Sequence, residues 1–316
     1  MRPTSEPVSV STSGLTMRFG RKDVLKSVDL DVRTGSVTAM LGRNGIGKST
    51  LLRILVGFYA PTSGTARVLG LDPAKRGPDV RRLVGYVPDR LELPKWMTID
   101  DHFRFLEPFY PTWDRSLVSE MLGRLQLDSS AKISTLSKGQ RAKHALIAAL
   151  AHRPELLLLD EPFSGLDPIV RHEVLSAVMG HLRDEGRTVI VVSHSMSDVE
   201  RVADRIVVLD DGRITMDADL EDVQRRARRV AVSLVAGTAT WTPPGGPDVS
   251  RTGDDLVLVY LDWEERYDAL LRDDPAVAEV RQLPRDLDDV FRVAVAKESA
   301  SCAVRTSARR LDAAVR

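Results

Sequence analysis

The sequence predicts an α/β fold, a parallel β-sheet covered by helices, and three observations carry that prediction. Residues 156–159, 170–183, 188–192, 197–202 and 205–209 read in turn as strand, helix, strand, helix and strand, the alternation of βαβ units. Residues 36–41 form another apolar run, followed at once by a glycine-rich loop and by the helical spacing of residues 51–55. Residues 93–128 carry helical spacing at Phe103, Phe105, Leu106 and Phe109, then at Leu117, Met121, Leu122 and Leu125, which places a helical subdomain at about 91–151.

The remaining elements follow from local chemistry. Residues 8–90 mix short β-rich runs with turns such as Pro61-Thr62-Ser63-Gly64, an N-terminal antiparallel β region. Pro94, Pro108 and Pro111 break the helical stretch into short helices. Asp210-Asp211-Gly212 predicts a hairpin turn into residues 213–216.

Near Gln224 the character changes. Arg225, Arg226, Arg228 and Arg229 precede a strand at 230–235, the loop Thr242-Pro243-Pro244-Gly245-Gly246-Pro247, a strand at 256–261, a helix at 263–271, a strand at 277–283 and a helix at 287–295. The expected organisation is a main domain over 8–222, a small α+β C-terminal appendage over 228–296 and a disordered tail over 297–316. The arginine cluster is open to two readings, a patch for an anionic partner or the solvated end of a helix.

Lys+Arg and Asp+Glu stand at 45 each, so no global charge recruits nucleic acid or an anionic membrane. Cys302 is the one cysteine, which excludes an internal disulfide and fits a reducing compartment. Met1-Arg2-Pro3-Thr4-Ser5-Glu6 lacks the apolar core of a signal peptide. The longest apolar runs fall far short of the roughly 18 residues a membrane helix needs. A cytoplasmic chain is expected, acting across a membrane only through another subunit.

Gly42-Arg43-Asn44-Gly45-Ile46-Gly47-Lys48-Ser49-Thr50 fits the phosphate-binding pattern, two glycines around four free positions and then Lys and Ser/Thr. Glycines let successive backbone N–H groups turn inward, and the start of a helix adds a positive dipole end. Lys48 can then reach the outer phosphates and the Ser49 hydroxyl can bind Mg²⁺. Leu156-Leu157-Leu158-Leu159-Asp160-Glu161 is an apolar strand ending in two carboxylates. Asp160 suits a Mg²⁺ site, usually through water, and Glu161 suits a general base for the attacking water.

Leu136-Ser137-Lys138-Gly139-Gln140 stands between these motifs, before a helix with apolar spacing at Ala142, Ala145, Leu146, Ala149 and Leu150. In this order the motifs resemble the nucleotide-binding domain of ATP-binding cassette (ABC) transporters, whose signature is Leu-Ser-Gly-Gly-Gln. The resemblance covers about residues 8–220. It implies a P-loop NTPase with a RecA-like core, ATP and Mg²⁺ as cofactors, and Ser137, Gly139 and Gln140 as ATP contacts. It also implies a switch histidine at His194, a D-loop at Ser164-Gly165-Leu166-Asp167 and an adenine-stacking aromatic at Phe19. Asn44 is the only asparagine, so the Asn-Lys-x-Asp guanine-reading motif is excluded and ATP is expected over GTP.

The sequence also departs from the family. Gly85-Tyr86-Val87-Pro88 is followed by Asp89 where the family has a metal-linked glutamine, so Asp89 is the candidate third metal contact. Lys138 replaces a glycine, with two roles open to it: a charge near the phosphates, or a solvated side chain. Arg43 replaces a proline. Phe109-Tyr110-Pro111-Thr112-Trp113-Asp114 and Leu287-Asp288-Asp289-Val290-Phe291 resemble exporter-type ATPase subunits. The resemblance implies a head-to-tail dimer sandwiching ATP and a transmembrane permease subunit docked on the region around Asp89 and residues 93–128. An importer ATPase and a soluble cassette ATPase acting on nucleic acid or ribosomes are the alternatives.

Overall fold

The computed structural model describes residues 7–162, 166–167, 171, 174–175, 186–193, 196–236, 238, 241–284, 286–290 and 292–293. The expectations for Ser164, Gly165, His194 and the tail at 297–316 lie outside the described residues. Backbone contacts divide the chain into two units, Met1–Ile214 and Thr215–Arg316.

In chain order the first unit runs β1 (Val8–Phe19), β2 (Lys22–Arg33), β3 (Val37–Leu41), α1 (Lys48–Leu55), β4 (Ser63–Val68), α2 (Pro73–Leu83) and β5 (Val84–Val87). It continues with α3 (Ile99–Leu106), α4 (Arg115–Arg124), α5 (Lys138–Leu150), β6 (Leu156–Asp160), β7 (Thr188–Val192), α6 (Met196–Val202) and β8 (Arg205–Asp210). Residues Arg213 and Ile214, the start of β9 (Arg213–Asp219), end it.

A six-stranded sheet has the order β5-β6-β7-β3-β8-β9, with the neighbours from β5 to β8 parallel. Every residue of β3, β6 and β7 is buried. That is the state a parallel strand takes when both faces are covered, and it is why these strands are continuous apolar runs rather than alternating ones. A second, antiparallel sheet has the order β2-β1-β4. Leu51, Leu52, Ile54 and Leu55 of α1 share one core with Leu15 and Leu25 of that sheet and with Leu158 and Ile190 of the parallel sheet. Burying each such side chain is worth about 1.5–3 kcal/mol, so α1 is held from both sides.

The helical region between β5 and β6 starts with a capping box at α3. Thr98 Oγ1 accepts from the Asp101 N–H at 3.1 Å, while the Thr98 N–H donates to Asp101 Oδ2 at 3.2 Å. Pro108 sits in a 3-10 turn, Glu107–Phe109, and Asp114 caps α4 by accepting from the Leu117 N–H at 2.9 Å. His102 of α3 and His144 of α5 are both buried and share a hydrogen bond, Nδ1 to Nε2, at 2.8 Å.

Two elements differ from the sequence reading. The expected turn at Pro61–Gly64 ends sooner, because Ser63 and Gly64 already belong to β4. Helix α2 escaped the reading because Gly77 and Pro78 lie inside it; Arg76 departs from helical geometry there, and the Asp72 cap holds the first turn. Among the described residues no helix is long and apolar enough to cross a membrane.

The second unit holds α7 (Leu220–Arg226), β10 (Arg228–Leu234), β11 (Asp248–Thr252), β12 (Asp255–Tyr260), α8 (Arg266–Arg272) and β13 (Val277–Gln282). Its four strands are antiparallel in the order β11-β12-β10-β13. Val230, Val232, Leu258 and Tyr260 pack with Tyr267 and Leu271 of α8. Strand β11 has no sequence signal, since Asp248-Val249-Ser250-Arg251-Thr252 is mostly polar; pairing with β12 makes it a strand. The arginine cluster is engaged locally: Arg225 pairs with Asp222 at 2.6 Å, Arg226 with Asp262 at 2.5 Å and Arg229 with Asp289 at 2.9 Å. That arrangement favours the solvated reading over an anion-binding patch.

Candidate functional site

Parallel strands place their C-terminal ends at one edge of the sheet, where α/β folds put their ligands. At this edge β3 runs into Gly42, β5 into Asp89, and β6 ends in Asp160 and Glu161. The loop from Gly42 to Gly47 then enters α1, whose first residue is Lys48. A Cβ at Gly42 would strike the Leu209 carbonyl oxygen and the Ile46 side chain. At Gly47, with φ 119°, it would lie 2.8 Å from Leu25 Cδ2 and 3.0 Å from the Val24 oxygen. Only glycine fits either position. Arg43, Asn44 and Gly45 are exposed on the loop, and Ile46, Ser49 and Thr50 are half-buried.

Lys48 is buried, and its ammonium donates to the Gly42 carbonyl at 2.6 Å and to the Arg43 carbonyl at 2.9 Å. Burial lowers its pKa, opposed by the negative charges of Glu161 and Asp160, so both acidic groups act on this ammonium. The Ser49 hydroxyl donates to Asp160 Oδ1 at 3.0 Å. Asp160 is fully buried, and burial raises its carboxyl to about 6. The Ser49 hydrogen bond pulls the other way, and the charge of Asp89 adds to the rise.

Asp160 Oδ2 is buried with no hydrogen-bond partner, a costly state for a carboxylate oxygen and one that a cation relieves. The Ser49 hydroxyl and this oxygen are hard donors suited to Mg²⁺. Among the described residues no three His, Cys, Asp or Glu side chains form a metal-enclosing group. Mg²⁺ is commonly bound through one or two carboxylates together with substrate phosphates and water, which suits this pair. Glu161 follows with φ 52°, and its N–H donates to the Val192 carbonyl at 3.1 Å. A left-handed glutamate at a strand end turns its side chain out of the strand's alternation.

Two further candidates have partners of their own. Phe19, at the end of β1, is exposed and meets Tyr59 edge-on with ring centroids 5.6 Å apart. Asp89 lies 3.5 Å from the Arg53 guanidinium of α1. Sequence reasoning missed both Tyr59 and Arg53, since only the fold brings them beside the candidates.

The signature turn caps its own helix. Ser137 Oγ accepts from the Gln140 N–H at 3.2 Å, and the Ser137 N–H donates to Gln140 Oε1 at 2.9 Å. This is a capping box, and the Ser-x-x-Gln spacing could have revealed that role for Gln140 in advance. Ser137 and Lys138 are exposed and Gly139 half-buried. Among the described residues no hydrogen bond joins this turn to the Gly42–Thr50 loop. The structure thus gathers Lys48, Ser49, Asp160 and Glu161, and it places Ser137, Gly139 and Gln140 at the start of α5.

Comparison with known proteins points the same way. The ABC transporter family model matches residues 25–164. The aliphatic sulfonates import ATP-binding protein SsuB of Pseudomonas putida is 35% identical over 223 residues, covering 70% of this chain and 80% of that protein. The Nod factor export ATP-binding protein I of Neorhizobium galegae is 29% identical over 300 residues, covering 90% of this chain and 84% of that protein. Among solved structures, the dimeric post-hydrolysis state of the ATP-binding cassette MJ0796 bound to ADP and Pi is similar with a TM-score of 0.61 and 25% identity, over 67% of this chain and 98% of that one.

Proposed function

Because this chain belongs to the ABC transporter family as an ATP-binding, ATP-hydrolysing subunit, we propose that two copies drive export through a separate membrane-spanning permease at the cytoplasmic face of the membrane. The observation that carries this reading is the division of the site. Lys48, Ser49, Asp160 and Glu161 meet at one sheet edge, while the Ser137 turn is exposed and hydrogen-bonded within itself, Ser137 to Gln140. A triphosphate held by the first group has its outer side free for the Ser137 and Gly139 backbone of a second copy, whose helix start favours an anion.

In this reading the amides of Gly42–Thr50 and the Lys48 ammonium hold the phosphates, and Phe19 stacks on adenine. Ser49 and Asp160 would hold Mg²⁺, which when bound would offset the negative charge of the phosphates. Asp89 stands beside that metal position. Glu161 takes the proton of the attacking water. His194 is proposed as the contact to the γ-phosphate.

Exposed aromatics support a docking surface for the permease. Trp96 is 79% exposed in the stretch between Asp89 and α3, and Phe105 and Phe109 expose 54% and 58% with their rings edge-on at 5.6 Å. Aromatic surface of this kind is enriched at interfaces.

Export is supported by the Nod factor export likeness, which extends over 90% of this chain and so beyond the first unit. Import is the second reading, supported by the higher identity to the sulfonate import protein over 70% of the chain. The decisive experiment is Glu161→Gln. It should bind ATP, form a dimer on size-exclusion chromatography, and hydrolyse on the order of a hundredfold or more slower than wild type. Near-wild-type phosphate release would remove Glu161 from the base role.

A further inference from the structure

Asp89 follows the end of β5, the strand beside the one that ends in Asp160. Val87 of β5 pairs with Leu159 of β6, so Asp89 and Asp160 leave the same edge of two neighbouring strands. Two acidic groups therefore stand at the sheet edge where the candidate metal site lies. Arg53 of α1 stands against this pair of charges: its Nη2 is 3.5 Å from Asp89 Oδ1, and it lies one helical turn beyond Ser49 on the same helix. Tyr86 and Tyr59 lie beside the guanidinium. Exposed pairs of this kind contribute little to stability, so the place of this one beside the metal end is the property to account for.

We propose that Arg53 is a positioning residue for hydrolysis: by pairing with Asp89 it holds that carboxylate to the side of the metal position and cancels its charge there. The inference rests on Ser49 and Asp160 as the Mg²⁺-holding pair. Two opposite consequences follow from electrostatics. Removing Arg53 leaves an uncompensated carboxylate beside the cation, which then binds more tightly but off its working position. Removing the Asp89 carboxylate leaves an uncompensated guanidinium, which repels the cation.

The test measures the Mg²⁺ concentration for half-maximal ATP hydrolysis, and separately the Mg²⁺ dependence of binding a fluorescent ADP analogue, in the full chain. In both readouts Arg53→Met should lower that concentration by roughly three- to tenfold, and Asp89→Asn should raise it by about as much. Arg53→Met should also reduce kcat by about tenfold while leaving KM for ATP within threefold. Arg53→Lys should behave as wild type, the double variant Arg53→Met/Asp89→Asn should return toward wild type, and 0.5 M salt should shrink the single-variant shifts. Shifts in the same direction, or a double variant no closer to wild type than either single one, would overturn the proposal. If Arg53→Met fails to fold by circular dichroism, an unchanged Mg²⁺ dependence in Asp89→Asn overturns it alone. Failure of the Mg²⁺ site reading is separate: it appears as Mg²⁺-independent analogue binding in the wild-type chain.

Discussion

The Ser49 hydroxyl lies 3.0 Å from Asp160 Oδ1, joining two residues 111 positions apart in the chain. One enters with helix α1 after the glycine loop and the other ends the buried strand β6. Their contact satisfies one Asp160 oxygen and leaves the other buried without a hydrogen-bond partner. This local imbalance is what supports the pair as the proposed cation site.

Replacing Ser49 by Ala removes the one hydroxyl on that carboxylate. Mg²⁺-dependent hydrolysis should fall by on the order of tenfold or more, while analogue binding in EDTA stays within about twofold. Phosphate-release kinetics at varied Mg²⁺ check this; equal losses with and without Mg²⁺ would point to a general binding defect instead.

Phe19 offers an exposed ring braced by Tyr59. Phe19→Ala should weaken nucleotide binding by roughly five- to a hundredfold, the value of about 1–3 kcal/mol for one stacked base, and Phe19→Trp should restore it. Melting temperature should barely change in either variant. A large drop in melting temperature with unaltered affinity would make Phe19 a structural residue.

The proposed composite site makes a prediction about mixtures. Lys48→Ala damages the loop of one copy and Ser137→Ala the signature turn of the other, so each variant alone should be inactive. A mixed dimer retains one intact pairing. An equimolar mixture should therefore recover about a quarter of wild-type hydrolysis if the two sites act independently and the copies exchange freely. No recovery in a mixture shown to contain mixed dimers would argue against a shared site.

His144 is fully buried against His102, and burial lowers its pKa to about 3, with the His102 charge acting in the same direction. Its folded value thus lies below the unfolded value of about 6.5. The unfolded chain takes up the proton first as pH falls, so this contribution is complete above about pH 6.5 and is lost as pH drops toward the folded value. At pH 5 the loss is about 2 kcal/mol relative to neutral pH. Denaturant unfolding from pH 7 to 5 should show a shallower loss in a His144→Phe variant than in wild type.

Legibility varied with the range of the interaction. The Gly42–Thr50 loop, the end of β6 and the Ser137 helix start were readable because each is a local pattern whose backbone geometry permits few residue types. Helix α2 was hidden by Gly77 and Pro78, which are breakers in isolation but are held here by the Asp72 cap and by burial of Val80. Strand β11 was hidden by polar residues that become strand through pairing with β12.

The sequence by itself determined which chemistry this chain carries: a phosphate loop, a carboxylate pair and a signature helix start, each encoded within a few residues. The tertiary structure decided which of these meet. It brought Ser49 to Asp160 and Lys48 into the field of Glu161, and set Arg53 against Asp89. Motif order cannot state such pairings, because side chains that are neighbours in space become so only when buried strands and helices close on a common core.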